Sequence, residues 1–174
     1  MPSPKLVELT TEHNDSLTKF MQGFSAANEN TPGFFPRDGE PITQTVERLR
    51  KDELGEDLPE GFVPATTRFW QEGHDLQGVI NLRHRLTPAL RRFGGHMGYS
   101  VSPNHRRRGI ASRMIAAMIP TARELGLERL LLTCDATNIG SHRAMEKNGA
   151  IMEREEWYEP TQRVQRWYWI ELQG

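Results

Sequence analysis

The sequence predicts a mixed α+β fold in one domain that spans all 174 residues. Seven short segments alternate or concentrate apolar residues as β-strands do, and four longer segments repeat them at helical spacing. A chain of this length fits one domain of ordinary size and buries about two-thirds of the surface that it exposes when unfolded. We therefore expect one layered core.

The first third of the chain is predicted to supply one strand and two helices. The strand covers residues 5–10. A helix starting at Thr10 or Thr11 follows, and its apolar face consists of Leu17, Phe20, Met21 and Phe24. A second helix starts at Thr43 and carries Val46 and Leu49. The stretches 30–41 and 52–60, rich in Pro and Gly or in acidic residues, predict loops.

Three strands should follow in the middle of the chain. Residues 66–72 and 76–84 flank Gly73-His74-Asp75, a sequence that favours a hairpin turn. In the second of these strands, small and apolar residues alternate with Gln77, Asn81 and Arg83, which predicts one buried face. Residues 87–95 are interpreted as a basic connection, and residues 94–101 as the third strand.

The second half should contain two helices and three strands. A helix over residues 111–125 presents one apolar face and ends at Gly126, a typical C-terminal cap. Residues 129–134 include Leu130-Leu131-Leu132, a continuous apolar run that favours a strand buried on both faces. A short helix near residues 138–147 precedes strands at 151–159 and 163–172.

Composition excludes several classes of protein. The net charge is −1, so no global field favours nucleic acid or a membrane surface. The chain has no apolar run of membrane-spanning length, and its first residues do not resemble a signal peptide. Cys134 is the only cysteine, which suits a reducing cytoplasm. Cys and His nowhere have zinc-ligand spacing, so we expect no metal.

The most informative stretch is the loop that joins strand 94–101 to helix 111–125. It reads Val101-Ser-Pro-Asn-His-Arg-Arg-Arg-Gly-Ile-Ala111. The first N–H groups of a helix have no partner within it, and the helix dipole attracts anions there. Gly109 lacks a Cβ and Ala111 is small, so a bulky phosphate can approach. The loop therefore predicts a cradle for a pyrophosphate, and with it a group-transfer coenzyme.

Two other interpretations of the loop compete with this one. It could be a basic, solvated turn before an ordinary core helix. The other is a dinucleotide-binding fold or a P-loop. The first requires the pattern G-x-G-x-x-G and the second G-x-x-x-x-G-K-[ST], and no strand-to-helix junction of this chain carries either pattern.

The motif Val101-x-Pro103, followed by Arg106-x-x-Gly109-x-Ala111, resembles the acyl-CoA signature of the GCN5-related N-acetyltransferases (GNAT). The second half is similar too, since Asn138-x-x-Ser141 follows a buried strand as in the family's second coenzyme-contacting region. Residues 78–84 and 94–99 resemble a bacterial subgroup of predicted acetyltransferases. The resemblance covers roughly residues 60–172. It implies a central mixed, mostly antiparallel sheet of about six to seven strands, flanked by about four helices.

The resemblance also implies an activity and a set of site residues. Acetyl-CoA would be the cosubstrate, and an amine of a small molecule or peptide would attack it directly in a ternary complex. The Tyr99 amide would donate to the developing oxyanion, and Val101 would hold the pantetheine arm. Asn138 and Ser141 would contact the arm from the opposite side. The pyrophosphate would bind amides from the loop, namely those of Arg106, Arg107, Arg108, Gly109, Ile110, Ala111 and Ser112.

The proton transfers are less well specified by the sequence. Many family members carry a tyrosine that protonates the leaving thiolate, but Met145 stands at that position and cannot donate a proton. Tyr158 and Tyr168 are possible substitutes. His96 is the leading candidate for the general base, because an imidazole titrates near neutral pH. The alternative is a histidine that satisfies a hydrogen bond within the sheet.

Further residues are weaker candidates. His84 and Glu72 are alternative bases, and Cys134 is expected to be buried and inert rather than a nucleophile. The arginines at positions 83, 85, 91 and 92 could bind a carboxylate on the acceptor or simply keep a loop solvated. The following aromatic and acidic residues could line an acceptor groove, or serve the core and the solvated surface: Phe24, Phe34, Phe35, Trp157, Trp167, Asp52, Glu53, Glu56 and Asp57.

Three functions remain open on the sequence alone. The first is the N-acetyltransferase, and the second is a non-catalytic acyl-CoA-binding sensor or module. The third is a nucleic-acid-binding protein built on the three arginines, which the near-neutral charge disfavours. A homodimer is possible if the strand at 163–172 pairs with a second subunit.

Overall fold

The computed structural model describes residues 3–31, 37 and 39–172, and the Phe34 and Phe35 candidates lie outside them. The described residues form seven strands, five α-helices and three short 3-10 turns. The strands and helices are, in chain order, β1 Lys5–Val7, α1 Asn14–Ala26, α2 Ile42–Leu54, β2 Ala65–Glu72, β3 Asp75–Arg83, α3 Pro88–Arg92, β4 Met97–Val101, α4 Ile110–Glu124, β5 Arg129–Asp135, α5 Ile139–Glu146, β6 Ile151–Tyr158 and β7 Arg163–Glu171.

The strands form two antiparallel sheets instead of one central sheet. The first has the order β1-β2-β3-β4 and the second the order β5-β7-β6. The predicted α+β class is therefore confirmed, with the expected number of strands. β7 lies between β5 and β6, so both of its edges are paired. Residues 163–171 therefore have no free edge for a strand of a second subunit, whereas a homodimer through another surface stays a prediction.

β3 is buried on both faces, not on one as its alternation predicted. Ile80 and Leu82 belong to the core under α4, whereas Val79 belongs to a second core with Phe20 and Phe69. Val79, Ile80 and Leu82 have no exposed surface. The amphipathic helices α1 and α4 pack on opposite sides of the first sheet, so both of its faces are covered.

α4 follows the prediction closely. Met114, Ile115, Met118 and Ala122 form its buried face, and Gly126 just beyond its end has a left-handed φ of +75°. The helix α3, by contrast, was not predicted, since residues 87–95 had been interpreted as a loop. No helix in the described part of the chain is both long and apolar enough to cross a membrane.

The two sheets meet where β4 and β5 come together. The His96 N–H, just before β4, donates to the Leu131 carbonyl of β5 at 2.7 Å. No ladder joins the two strands beyond this point, and they belong to separate sheets. A gap therefore opens between them, and the N-terminus of α4 and the helix α5 border it.

Candidate active site

A cleft of about 880 Å³ occupies the gap between the two sheets. The C-terminal half of β4 forms one wall, the turn before α4 forms the base, and α5 with the residue before it forms the other wall. Of the residues predicted to bind a coenzyme, all but Arg108 line this cleft: Tyr99, Val101, Arg106, Arg107, Gly109, Ile110, Ala111, Ser112, Asn138 and Ser141. The structure thus brings together two motifs that lie about 30 residues apart in the sequence.

The turn before α4 is shaped to bind an anion. Arg107 and Gly109 both have left-handed backbones, with φ of +61° and +73°. Gly109 is the N-cap residue of α4, and no side chain caps the helix. The first N–H groups of α4 therefore retain their hydrogen-bonding capacity at the positive end of the helix dipole. Arg108 directs its carbonyl back to the Arg113 side chain at 3.1 Å.

The cleft is positively charged. Among the described lining residues, Arg106, Arg107, Arg143 and Lys147 are cationic, and Glu29 is the one carboxylate. Arg143 and Lys147 were not predicted, although their four-residue spacing on a helix would place them on one face. A cationic surface around free helix amides suits a ligand with several phosphate groups.

Glu29 and Arg106 form a bidentate ion pair across one end of the cleft. The two guanidinium nitrogens lie 2.7 Å and 2.5 Å from the carboxylate oxygens. This pairing lowers the pKa of Glu29. The Arg106 Nε also donates to the Val101 carbonyl at 3.1 Å. The first arginine of the motif therefore connects the segment just after α1 to the end of β4.

The wall formed by β4 presents backbone donors to the cleft. The Ser102 N–H donates to the Gln77 carbonyl at 2.9 Å, so the backbone N–H and C=O groups of even-numbered residues in β4 point to β3. Tyr99 lies opposite Ile80, and Val101 lies opposite Gly78. In an antiparallel ladder the backbone groups of alternate residues point to opposite sides. The N–H groups of Tyr99 and Val101 therefore point away from β3, toward the cleft.

The inner end of the cleft is closed by a hydroxyl pair. The Tyr99 hydroxyl lies 2.7 Å from the Ser141 Oγ of α5. Burial raises the pKa of Tyr99, so its hydroxyl keeps its proton. Cys134 is buried beside Ser141, and burial raises the pKa of its thiol to about 11. Cys134 is thus a protonated thiol, as expected from the sequence.

Met145 does not reach this end of the cleft. Its side chain is 1 % exposed and packs in the core between α4 and the second sheet. Tyr168 is also buried and approaches Glu146, with its hydroxyl 3.4 Å from the carboxylate. Tyr158 stacks on Phe93 at 5.1 Å. Among the described residues that line the cleft, Tyr99 is the one tyrosine.

Two asparagines hold α5 in position. The Asn138 Oδ1 accepts the Ser141 N–H at 3.0 Å and so caps the helix. The Asn148 Nδ2 donates to the Ala144 carbonyl of α5 and to the Ser112 carbonyl of α4, at 2.8 Å and 3.0 Å. Asn138 is thus first a helix cap. Asn148 fixes α5 against the first turn of α4, which sets the width of the cleft.

His96 lies outside the residues that line the cleft, at the junction of the sheets. It is 6 % exposed, and its Nδ1 accepts the Leu131 N–H at 2.8 Å. Burial, followed by the charges of Arg91 and Arg83, lowers the pKa of His96 to about 4. This is the competing interpretation from the sequence, a histidine satisfied within the sheet. Its role as a general base stays a prediction without support from these contacts.

The weaker candidates have other partners. His84 hydrogen bonds to Thr66, and Glu72 accepts from Gln77. The Arg83 guanidinium donates to the carbonyls of Gly94 and Gly95. The remaining predicted residues are core aromatics or members of surface ion pairs, namely Phe24, Trp167, Asp52, Glu53, Glu56 and Asp57, whereas Trp157 is exposed. Within the described chain, no group of three His, Cys, Asp or Glu is arranged to hold a metal ion.

Comparisons with known proteins point to the same family as the sequence motifs. A family model described as the acetyltransferase (GNAT) family matches residues 25–150. No curated protein sequence matches the chain. Many solved structures do, and three of those that are similar over nearly the whole of both chains are described next.

The ribosomal-protein-S5-alanine acetyltransferase of Vibrio fischeri superposes with a TM-score of 0.72 at 11 % identity, covering 100 % of this chain and 96 % of that one. The microcin C7 self-immunity acetyltransferase MccE, solved with acetyl-CoA and AMP, has a TM-score of 0.70 at 16 % identity, with coverage of 98 % and 93 %. The ribosomal L7/L12 alpha-N-protein acetyltransferase RimL, solved with coenzyme A in a disulfide with one of its cysteines, has a TM-score of 0.69 at 15 % identity, with coverage of 98 % and 95 %. At these identities the likeness shows a common fold.

Proposed function

Because the chain belongs to the GNAT acetyltransferase family, we propose that it transfers an acetyl group from acetyl-CoA to a primary amine of a small molecule or a peptide. The family predicted from the sequence is confirmed. The observation that carries the proposal is one continuous cleft, which joins the free amides of α4 at one end to the Tyr99 amide and hydroxyl at the other. MccE and RimL, with their bound acetyl-CoA and coenzyme A, support the choice of cosubstrate.

The coenzyme's pyrophosphate would bind at the N-terminus of α4. The amides of Ile110, Ala111 and Ser112 form the first turn there, beside the left-handed Gly109. Arg107, Arg143 and Lys147 add positive charge around the same end of the cleft. Helix amides and cationic side chains together bind phosphates well, because the amides donate directional hydrogen bonds and the cationic side chains attract the phosphates over a longer distance.

The pantetheine arm would lie along β4 and pair with it as another strand would. The N–H groups of Tyr99 and Val101 face the cleft, and that of Val101 can donate to a carbonyl of the arm. The Val101 carbonyl is already bound by Arg106. Because a carbonyl oxygen has two lone pairs, the arm can use both backbone groups of Val101 while Arg106 stays bound.

The chemical step needs stabilisation of two negative charges. The amine attacks the thioester carbon directly in a ternary complex, and the carbonyl oxygen becomes an oxyanion. The C–S bond then breaks to leave a thiolate, and the proton that the nitrogen gives up ends on that sulfur, so the products are an amide and the free coenzyme thiol. The Tyr99 N–H points where it can donate to the oxyanion. The hydroxyls of Tyr99 and Ser141, 2.7 Å apart, can donate to the thiolate. They would replace the missing tyrosine at Met145.

The acceptor must reach the carbonyl carbon as a free amine, because an ammonium group has no lone pair. Glu29 is a poor base for this purpose, since Arg106 binds both of its oxygens and lowers its pKa. We therefore expect activity to rise with pH as more of the acceptor loses its proton.

The test is an assay of coenzyme thiol release with acetyl-CoA and a panel of primary amines, from small amines to peptides with free N-termini. Mass spectrometry of the acceptor must show the gain of one acetyl group. Turnover with a member of the panel supports the proposal. Binding of acetyl-CoA without turnover across the panel would instead favour the acyl-CoA-binding module. The structural observation that favours this alternative is the buried Met145, which cannot donate a proton.

A further inference from the structure

Leu131 of β5 has both of its backbone groups bound by a single residue. The His96 N–H donates to the Leu131 carbonyl at 2.7 Å, and the Leu131 N–H donates to the His96 Nδ1 at 2.8 Å. In an ordinary ladder a backbone carbonyl would accept that second hydrogen bond. Here the His96 carbonyl accepts from Arg83 of β3 at 2.8 Å instead. The imidazole therefore takes the place of a carbonyl on the β5 side.

The chain around His96 cannot form a regular ladder with β5. Gly95 has φ of +62°, and a Cβ there would lie 2.4 Å from the Leu131 carbonyl oxygen. Gly94, with φ of +101°, donates its N–H to the Thr133 hydroxyl at 3.1 Å. The segment before β4 thus reaches β5 with left-handed backbones that glycine adopts readily, and side chains make contacts that backbone groups would otherwise make.

Only one protonation state of His96 fits these contacts. A ring nitrogen can accept a backbone N–H only through its lone pair, so Nδ1 is unprotonated and the proton of the neutral ring lies on Nε2. The charged groups that act on the ring are Arg91 of α3 and Arg83 of β3, and both disfavour a second proton. Neither nitrogen can therefore accept a proton from the acceptor amine without loss of the bond to Leu131.

We infer that His96 is a positioning residue, whose imidazole ends the pairing of β4 with β5 at Leu131 and thereby fixes where the cleft opens. Three residues farther on, the Tyr99 hydroxyl is bound by Ser141 of α5 instead of by β5. The chain is therefore anchored to β5 at His96, just before β4, and is not paired with β5 at Tyr99 and Val101. This inference rests on the proposed function only where coenzyme binding is the readout.

The test compares three variants at one position. In His96→Asn the Oδ1 lies close to the place of Nδ1 and can accept the Leu131 N–H. In His96→Gln the amide reaches the place of Nε2, and His96→Ala has no acceptor. The readouts are hydrogen exchange of the Leu131 amide, the Kd for coenzyme A, and kcat as a function of pH.

We expect His96→Asn to keep Leu131 protection, Kd and kcat within about 3-fold of the wild type. His96→Ala and His96→Gln should each weaken coenzyme binding by about 10-fold and expose the Leu131 amide, because a buried N–H loses its acceptor. The wild-type ring should show the Nε2–H tautomer from about pH 5 to about pH 8 in nitrogen chemical shifts.

Two results would overturn the inference. One is a Leu131 amide that stays protected in both His96→Ala and His96→Gln. The other is a loss of kcat in His96→Asn as large as in His96→Ala, which is the behaviour of a general base. If His96→Ala does not fold, the comparison of the Asn and Gln variants still decides. If the wild type binds no coenzyme A, the proposed function fails, and Leu131 protection and the tautomer still judge the role of His96.

Discussion

Along one edge β4 pairs with β3 over five residues, whereas on its other side the chain is held to β5 only just before β4, through Gly94 and His96. The first edge is an ordinary backbone ladder, buried between α1 and α4. The second depends on Gly95, on the His96 imidazole and on the Thr133 hydroxyl. The difference shows how one strand can belong to a rigid core and still present unpaired backbone donors. Where the ladder stops, the cleft begins.

The largest effect should come from breaking the second edge at Gly95. In Gly95→Ala the new Cβ would lie 2.4 Å from the Leu131 carbonyl oxygen, a backbone atom that cannot move aside alone. We expect the free energy of unfolding to fall by more than about 3 kcal/mol in urea titrations.

The matched control is Gly73→Ala in the β2–β3 turn. Gly73 has φ of +61°, almost the same as Gly95, but a Cβ there meets nothing within 4 Å. This variant should lose only the backbone strain, about 1 kcal/mol. Equal losses in the two variants would contradict the idea that close approach to Leu131 shapes the junction.

The next effect should follow from a negative charge at the start of α4. Gly109→Glu places a carboxylate in a left-handed position beside the free amides of the helix. We expect the Kd for coenzyme A to rise by about 100-fold in calorimetry, because the carboxylate repels the pyrophosphate and competes for its donors. Gly126→Glu at the other end of α4, with φ of +75°, is the control and should bind normally. Normal binding by Gly109→Glu would mean that the cradle lies elsewhere.

A fall in pH should weaken the second edge more than the first. His96 has a pKa of about 4 in the folded protein and 6.5 as its ordinary value. The unfolded state thus binds more protons between these values, so the stability from the neutral ring is complete above pH 6.5 and is lost as pH falls toward 4. We expect a loss of about 3 kcal/mol across that window.

The pKa values of His84 and His105 are also lowered, so wild-type curves alone do not isolate His96. The difference between the wild type and His96→Asn does, because only the residue at position 96 changes its titration. Parallel stability curves for the two proteins would show that the imidazole does not carry this pH dependence.

The smallest effect should come from the hydroxyl pair at the inner end of the cleft. We expect Tyr99→Phe to lower kcat by about 10-fold while the Kd for coenzyme A changes little, since the amide of residue 99 is kept. Tyr158→Phe, a change in a ring that stacks on Phe93, should leave kcat as it is. If Tyr99→Phe and Ser141→Ala are both fully active, the two hydroxyls do not serve the leaving thiolate.

The contrast between local and distant contacts also explains what the sequence could predict. The helix α4 and its start at Gly109 are encoded within a few neighbouring residues, so pattern and resemblance found them. The helix α3 had the same kind of signal: Thr87 accepts the Leu90 N–H as an N-cap, and Pro88 follows it. The many basic residues of this segment nevertheless favour a solvated connection, and the cap signal rests on two residues only.

Distant contacts were beyond the sequence. Glu29 and Arg106 are 77 residues apart, and nothing in either segment names the other as a partner. For His96 the residue type suggested a base, but its pKa and its lone pair are set by Leu131, Arg91 and Arg83 from other elements. A residue's type therefore predicted the kind of chemistry, and the packing decided whether that chemistry was free to occur.

The most direct test of the account is a titration of the isotope-labelled protein with coenzyme A, followed through its backbone amide chemical shifts. The account predicts the largest shifts at Tyr99 and Val101 on the open edge of β4 and at Ile110, Ala111 and Ser112 in the first turn of α4. The amides of β3, which pair with the other edge, should change far less. Saturable shifts confined to any other surface, or none at all, would contradict the claim that the cleft beside β4 holds the coenzyme.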